Sequence, residues 1–141
     1  MSATEIVAEL ATTARKAART LSTATGAERK AALEAIAQAI ESRSAEILAA
    51  NELDMVNARS EDMHPQMQDR LLLNADRIKG IASGARQVAA LADPLGQVLR
   101  KSTLPNGLEL EQISVPFGVI GMVYEARPNV TVDAAVILLL S

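Results

Sequence analysis

Cysteine and tryptophan are missing from the 141-residue chain, and Phe117 and Tyr124 are its only aromatics. Without cysteine there is no disulfide, no thiolate metal site and no sulfur nucleophile within these residues. With so few aromatics the core must be built from alanine and aliphatic side chains, which favours close-packed helices over a sandwich or a base-stacking platform for nucleic acid. The single histidine, His64, precedes Pro65. With no cysteine or second histidine to join it, it reads as a loop residue rather than a metal ligand or a base.

Charge of one sign is equally scarce. The net charge of −3 is spread along the chain without runs, so there is no basic footprint for nucleic acid or an anionic membrane. Acidic Glu5 and Glu9 and the lack of a basic segment leading into an apolar core exclude a secretory signal at the amino terminus. The longest apolar run, Ala134 to Leu140, is too short to span a bilayer. A hydrophobic content of 49% against 22% charged residues is that of a globular chain with a real core. The expectation is a soluble cytoplasmic protein with neither nucleic acid nor membrane as partner.

Helical periodicity dominates the first two thirds. Ile6, Leu10, Ala14, Ala17 and Leu21 fall on one face of an opening amphipathic helix, which Gly26 ends or separates from the next. Leu33, Ile36, Ala37 and Ile40 form the stripe of a second helix, and the pattern resumes at Ile47 and Leu48. Ser42 and Ser44 compete for backbone hydrogen bonds, so the stretch to about Ala58 is one long helix or two abutting ones. Ser60 to Gln66 reads as a loop. Asn74 or Asp76 caps a third helix carrying Ile78, Ile81, Ala85, Val88 and Leu91, which Asp93-Pro94 stops. Gly80 and Gly84, four apart within it, predict close helix packing.

After Gly96 the period changes. Gln97 to Leu104 and Leu108 to Val115 alternate loosely around Pro105-Asn106-Gly107, and Asn-Gly between two such runs predicts a hairpin. Glu109 and Glu111 share one face of its second arm, the usual mark of a solvated face. A mostly polar hairpin outside a helical body has little core of its own, so a partner strand or subunit is expected. Val119 to Val123 then reads as a strand buried on both faces, punctuated by Gly118 and Gly121. Those two glycines do not form the spaced fingerprint of a dinucleotide site. Tyr124 to Asn129 is a short polar connection in which Pro128 holds Arg127 extended. A last helix starts near Val130, with Asn129 or Thr131 as its cap and Asp133 in its first turn. A strand, a polar turn and a helix amino terminus form the place where α/β proteins put ligands. The chain ends within an apolar helix, Val136 to Leu140, with no stop signal, as expected of a piece of a longer protein.

The run Val-Pro-Phe-Gly-Val-Ile-Gly-Met-Val-Tyr-Glu-Ala-Arg-Pro-Asn-Val-Thr-Val-Asp-Ala-Ala closely resembles the γ-glutamyl phosphate reductases, the proline-biosynthetic branch of the aldehyde dehydrogenase superfamily. The likeness extends over the whole chain. It includes Asn51 to Asp54, Asp69-Arg70-Leu71, Asp93-Pro94 and Leu104 to Leu108. The resemblance implies an α/β fold: amino-terminal helices over 1–95, a β-hairpin oligomerisation arm over 96–115, and over 116–141 the first strand, turn and helix of a parallel Rossmann-like sheet. It implies NADP as cofactor, L-glutamyl 5-phosphate as substrate and a homo-oligomer joined through the 96–115 hairpin. It also implies a cysteine nucleophile, which this chain does not contain, so these residues alone are expected to be inactive.

Four residues carry the site reading. Arg127 and Asn129 are expected at the substrate, Arg127 as an anion contact and Asn129 as a donor to a developing oxyanion. Tyr124 and Glu125 are expected near the cofactor. Each has a structural alternative: Arg127 paired with Glu125, Asn129 as a helix cap, Tyr124 as a partly buried wedge. A different class of function also fits the sequence, a non-catalytic interaction module or truncated paralogue that pairs with full-length subunits.

Overall fold

A computed structural model describes residues 1–125 and 127–141. Ala126, placed by the sequence reading in the polar connection, lies outside the described residues. Six helices and one hairpin follow in order. They are α1 (Ala3–Leu21), α2 (Gly26–Ser42), α3 (Ser44–Ser60), α4 (Pro65–Leu71), α5 (Ala75–Ala89), β1 (Val98–Thr103), β2 (Glu109–Ile113) and α6 (Pro128–Leu140).

Local chemistry sets most of these boundaries. Ser2 with Glu5, and Thr25 with Glu28, form reciprocal capping boxes that satisfy the free N–H groups opening α1 and α2. α1 therefore ends at Leu21, and Gly26 is the first residue of α2 rather than the breaker between them. The long helical stretch is two helices, broken at Arg43 between the two serines. The expected loop at Ser60 to Gln66 is shorter than its pattern indicated. Pro65 opens α4 at a position where its missing N–H costs nothing, and the His64 Nδ1 accepts from the Gln66 N–H at 3.3 Å.

Burial follows the aliphatic stripes. Leu33 and Ala37 of α2, Ala82 and Ala85 of α5, and Val136 and Leu140 of α6 form one buried cluster. A fully buried leucine or valine contributes about 1.5–3 kcal/mol, so this seam holds the three helices together. Arg86 of α5 reinforces it from the surface by pairing with Glu34 at 3.0 Å and Glu41 at 2.7 Å on α2. Gly80 and Gly84 do not serve the packing expected of them. A Cβ built on either meets nothing within 4 Å, and the small residues at the contact are Ala82 and Ala85. α1 buries no residue, and Ile6, Val7 and Leu10 lie open.

The hairpin forms at the Asn-Gly signal. β1 and β2 are antiparallel, with Lys101 opposite Glu111 and Thr103 opposite Glu109, and Gly107 supplies the turn's positive φ of 84°. Glu109 and Glu111 are exposed and flank the Lys101 ammonium at 3.3 and 3.0 Å. Ser114 ties the foot of the hairpin to the preceding stretch: its Oγ donates to the Pro94 carbonyl at 2.5 Å and accepts from the Gln97 N–H at 3.0 Å.

The expected parallel strand is a correction. Val119 to Val123 joins no ladder, and Val123 is wholly exposed. A strand buried on both faces needs a neighbouring backbone to take its N–H and C=O groups, and the one sheet among the described residues is the two-stranded hairpin. The fold is α-helical with a small antiparallel sheet; the start of a Rossmann-like sheet is not formed here.

Candidate functional site

Three helix ends meet at one open groove of about 380 Å³. α4 brings Asp69 and Arg70, α5 brings Arg77, and the start of α6 brings Arg127 and Asn129. Leu72, Leu73 and Ile81 supply its apolar floor.

The wall is built by a buried asparagine. Asn51 on α3 is 4% exposed. Its amide donates to the Leu71 carbonyl at 2.9 Å, and its oxygen accepts from the Leu73 N–H at 2.7 Å. Two backbone groups of the half-buried α4 to α5 connection are thereby satisfied. Arg77 fastens the same connection from the groove side. It donates to the carbonyls of Asp69 and of Leu72, the latter at 2.6 Å, and pairs with the Asp69 carboxylate at 2.8 Å. The Asn74 side chain caps α5 by accepting from the Arg77 N–H at 2.8 Å.

The opposite wall is the start of α6. Arg127 takes the extended conformation imposed by the following proline, with φ −138° and ψ 95°. Helix begins at Pro128, so Asn129 lies inside the first turn and is not the cap. No side chain caps α6 among the described residues. Instead the Asn129 amide donates to Asp133 Oδ2 one turn on, at 3.0 Å, and a primary amide retains a second N–H. Among the described residues no ion pair reaches Arg127, so the alternative pairing with Glu125 is not formed.

Of the four residues expected at a site, Arg127 and Asn129 share this groove, whereas Tyr124 and Glu125 do not line it. The Tyr124 hydroxyl is 2.7 Å from Thr131 Oγ1, which ties the connection to the first turn of α6. Arg70 and Arg77 line the other side of the groove, with Asn51 behind them holding the α4 to α5 connection, and only the resemblance drew Arg70 and Asn51 into view. A residue-level signal for Asn51 existed: it interrupts the stripe Ile47, Met55, Ala58 at helical spacing, the position of a buried and hydrogen-bonded polar group.

What this arrangement defines is a helical unit with an antiparallel arm and an arginine-lined groove suited to an anionic ligand. Among the described residues no helix is long and apolar enough to cross a membrane, and no group of three His, Cys, Asp or Glu residues is placed to hold a metal ion.

Comparison with known proteins gives the family. The chain is 53% identical over 120 residues to the γ-glutamyl phosphate reductase of Geobacillus thermodenitrificans, covering 85% of this chain and 29% of that one. It is 49% identical over 137 residues to that of Kineococcus radiotolerans, covering 97% of this chain and 32% of that one. The crystal structure of γ-glutamyl phosphate reductase from Thermotoga maritima superposes with a TM-score of 0.90 at 37% identity, over 94% of this chain and 32% of that one. The Saccharomyces cerevisiae enzyme superposes with a TM-score of 0.89 at 30% identity, over the whole of this chain and 35% of that one. No family model matches the sequence. The chain belongs to the γ-glutamyl phosphate reductase family, corresponds to its amino-terminal part, and spans about a third of the length of these relatives.

Proposed function

We propose that this chain supplies the amino-terminal framework and one substrate-facing wall of a γ-glutamyl phosphate reductase. The reaction is reduction of L-glutamyl 5-phosphate to L-glutamate 5-semialdehyde with release of phosphate, in the cytoplasm, as a step of proline biosynthesis. The observation that carries the reading is the meeting of Arg127 and Asn129 with Arg70 and Arg77 in one groove. An acyl phosphate that loses phosphate needs its anionic end gripped and its carbonyl oxygen polarised. Arg127 is suited to the first task and the second amide N–H of Asn129 to the other.

The residues expected near the cofactor lie outside this groove. Neither Tyr124 nor Glu125 lines it, and the Tyr124 hydroxyl is bonded to Thr131 Oγ1 at 2.7 Å. The family reading adds NADP as cofactor, with Tyr124 and Glu125 near it, and a cysteine nucleophile that the rest of the complete protein supplies. The exposed hairpin is assigned to contact between subunits, an arm whose strand edges a second copy would complete. No observation favours the separate interaction module.

The test joins this chain to the remaining two thirds of the Geobacillus thermodenitrificans relative and follows NADP⁺ reduction with glutamate semialdehyde and phosphate. Activity is expected in the joined protein and none in the 141 residues alone. In the joined protein Arg127→Gln raises KM and Asn129→Ala lowers kcat. A folded but inactive joined protein overturns the reading.

A further inference from the structure

The three arginines of the groove are not equivalent. Arg77 is committed, its guanidinium held by the Asp69 carboxylate and by two backbone carbonyls. Arg70, on the neighbouring turn of α4, spends only one N–H, on the Met67 sulfur at 3.7 Å, and its side chain is exposed. Arg127 enters from α6 with no ion pair among the described residues. One arginine is thus neutralised by the single carboxylate in the lining, and two positive charges remain for a ligand.

We infer that Arg70 is a second anion-binding residue of this site and that Arg70 and Arg127 together grip one phosphoryl group. The inference rests on the functional reading above and adds Arg70 to the residues that grip the phosphoryl end. Two guanidiniums are matched by a group carrying roughly −1.5 to −2 charges at neutral pH, as a phosphoryl group does. A carboxylate would leave one of them uncompensated. The planar fork of arginine also binds phosphoryl oxygens in pairs, which a lysine ammonium does not. Arg77 and Asp69 then act as positioning residues that hold the wall from which Arg70 projects.

Titration of the ¹⁵N-labelled 141-residue chain with inorganic phosphate at constant ionic strength, followed by NMR, tests this. Shifts are expected at Arg70, Arg127 and the first turn of α6, with acetate giving a much weaker response. Arg70→Gln and Arg127→Gln each weaken phosphate binding about tenfold, the loss of one charge-assisted contact. Arg70→Lys restores only part of it, and the control Lys79→Gln, on α5 away from the groove, changes nothing. Arg70 is exposed, so its variants fold, and the dispersion of their spectra verifies this. Shifts scattered over the surface, or equal responses to acetate and phosphate, overturn the proposal. If Arg127→Gln abolishes binding while Arg70→Gln leaves it intact, the role of Arg70 falls and the functional reading stands. If phosphate binds as described but the joined protein is inactive, the reverse holds.

Discussion

Arg29 and Asp93 face each other between the first turns of α2 and the stretch that follows α5, one guanidinium nitrogen lying 2.8 and 2.7 Å from the two carboxylate oxygens. Arg29 also donates to the Ala24 carbonyl at 2.5 Å and is 6% exposed. Asp93 in turn accepts from the Leu95 N–H at 3.0 Å. Because Ser114 is bonded to Pro94 and Gln97, this pair fixes where the hairpin leaves the helical body.

Gly26 is what leaves room for the pair. A Cβ at this position would lie 2.1 Å from Asp93 Oδ2. Gly26→Ala is therefore expected to destabilise the chain by about 1–3 kcal/mol, the cost of overpacking a held side chain. Gly80→Ala, in the open interior of α5, is expected to stabilise it by about 0.5–1 kcal/mol. Urea unfolding followed by circular dichroism reads both signs, and a stabilising Gly26→Ala would show that Asp93 is not held where the pair places it.

Asn51 offers a test by chemical asymmetry. Its amide donates to Leu71 and its oxygen accepts from Leu73, so Asn51→Asp retains one bond and sets a carboxylate against the Leu71 carbonyl. Asn51→Leu loses both bonds. Each is expected to cost about 1–3 kcal/mol, because a half-buried backbone group is left unsatisfied. Both variants should also weaken the phosphate response at Arg70, whose helix ends at this connection. Unchanged unfolding midpoints would mean that water satisfies Leu71 and Leu73 instead.

The sequence made some of this legible and concealed the rest for identifiable reasons. Leu33, Ala37, Ile78 and Ala85 were readable as core because a helical stripe is local information, and all four are buried. The hairpin was readable from Asn106-Gly107 for the same reason. α4 was hidden because a seven-residue helix has too few positions to show a period, although Pro65 at its first position was a start signal. Val119 to Val123 has a strand's composition, but a strand is completed by a partner that no local pattern specifies. The groove depends on Arg70, Arg77 and Arg127, residues up to 57 apart by number (127 − 70), and no local pattern joins them.

Acid should loosen the chain in a defined window. The Leu95 N–H and then Arg29 hold Asp93 below its ordinary 3.8, and Arg86 holds Glu41 below its ordinary 4.5. The Thr25 N–H and hydroxyl do the same for Glu28. Carboxylates with depressed folded values contribute stability that is present above their unfolded values and lost as pH falls through the folded ones. Unfolding midpoints are thus expected to be level from pH 7 to about pH 5 and to drop steadily below it. Arg86→Met removes the Glu41 share and should flatten the acid limb. An unaltered slope in that variant would rule out the clamp between α5 and α2 as its source.

Leu33 and Leu10 separate the part of the chain that holds itself together from the part that does not. Leu33 is fully buried between α2, α5 and α6, whereas Leu10 on α1 is 64% exposed. Leu33→Ala is expected to cost about 2–5 kcal/mol, combining lost transfer energy with the cavity left behind. Leu10→Ala is expected to fall within about 0.5 kcal/mol of the parent, as surface changes do. The same pair in the joined protein is informative. If Leu10→Ala becomes costly there and stays neutral in the 141 residues, the apolar stripe of α1 is completed by surfaces that this chain does not supply. If Leu10→Ala is already costly here, α1 packs on its own chain more tightly than its exposure in this structure allows, and the placement of α1 outside the core is wrong.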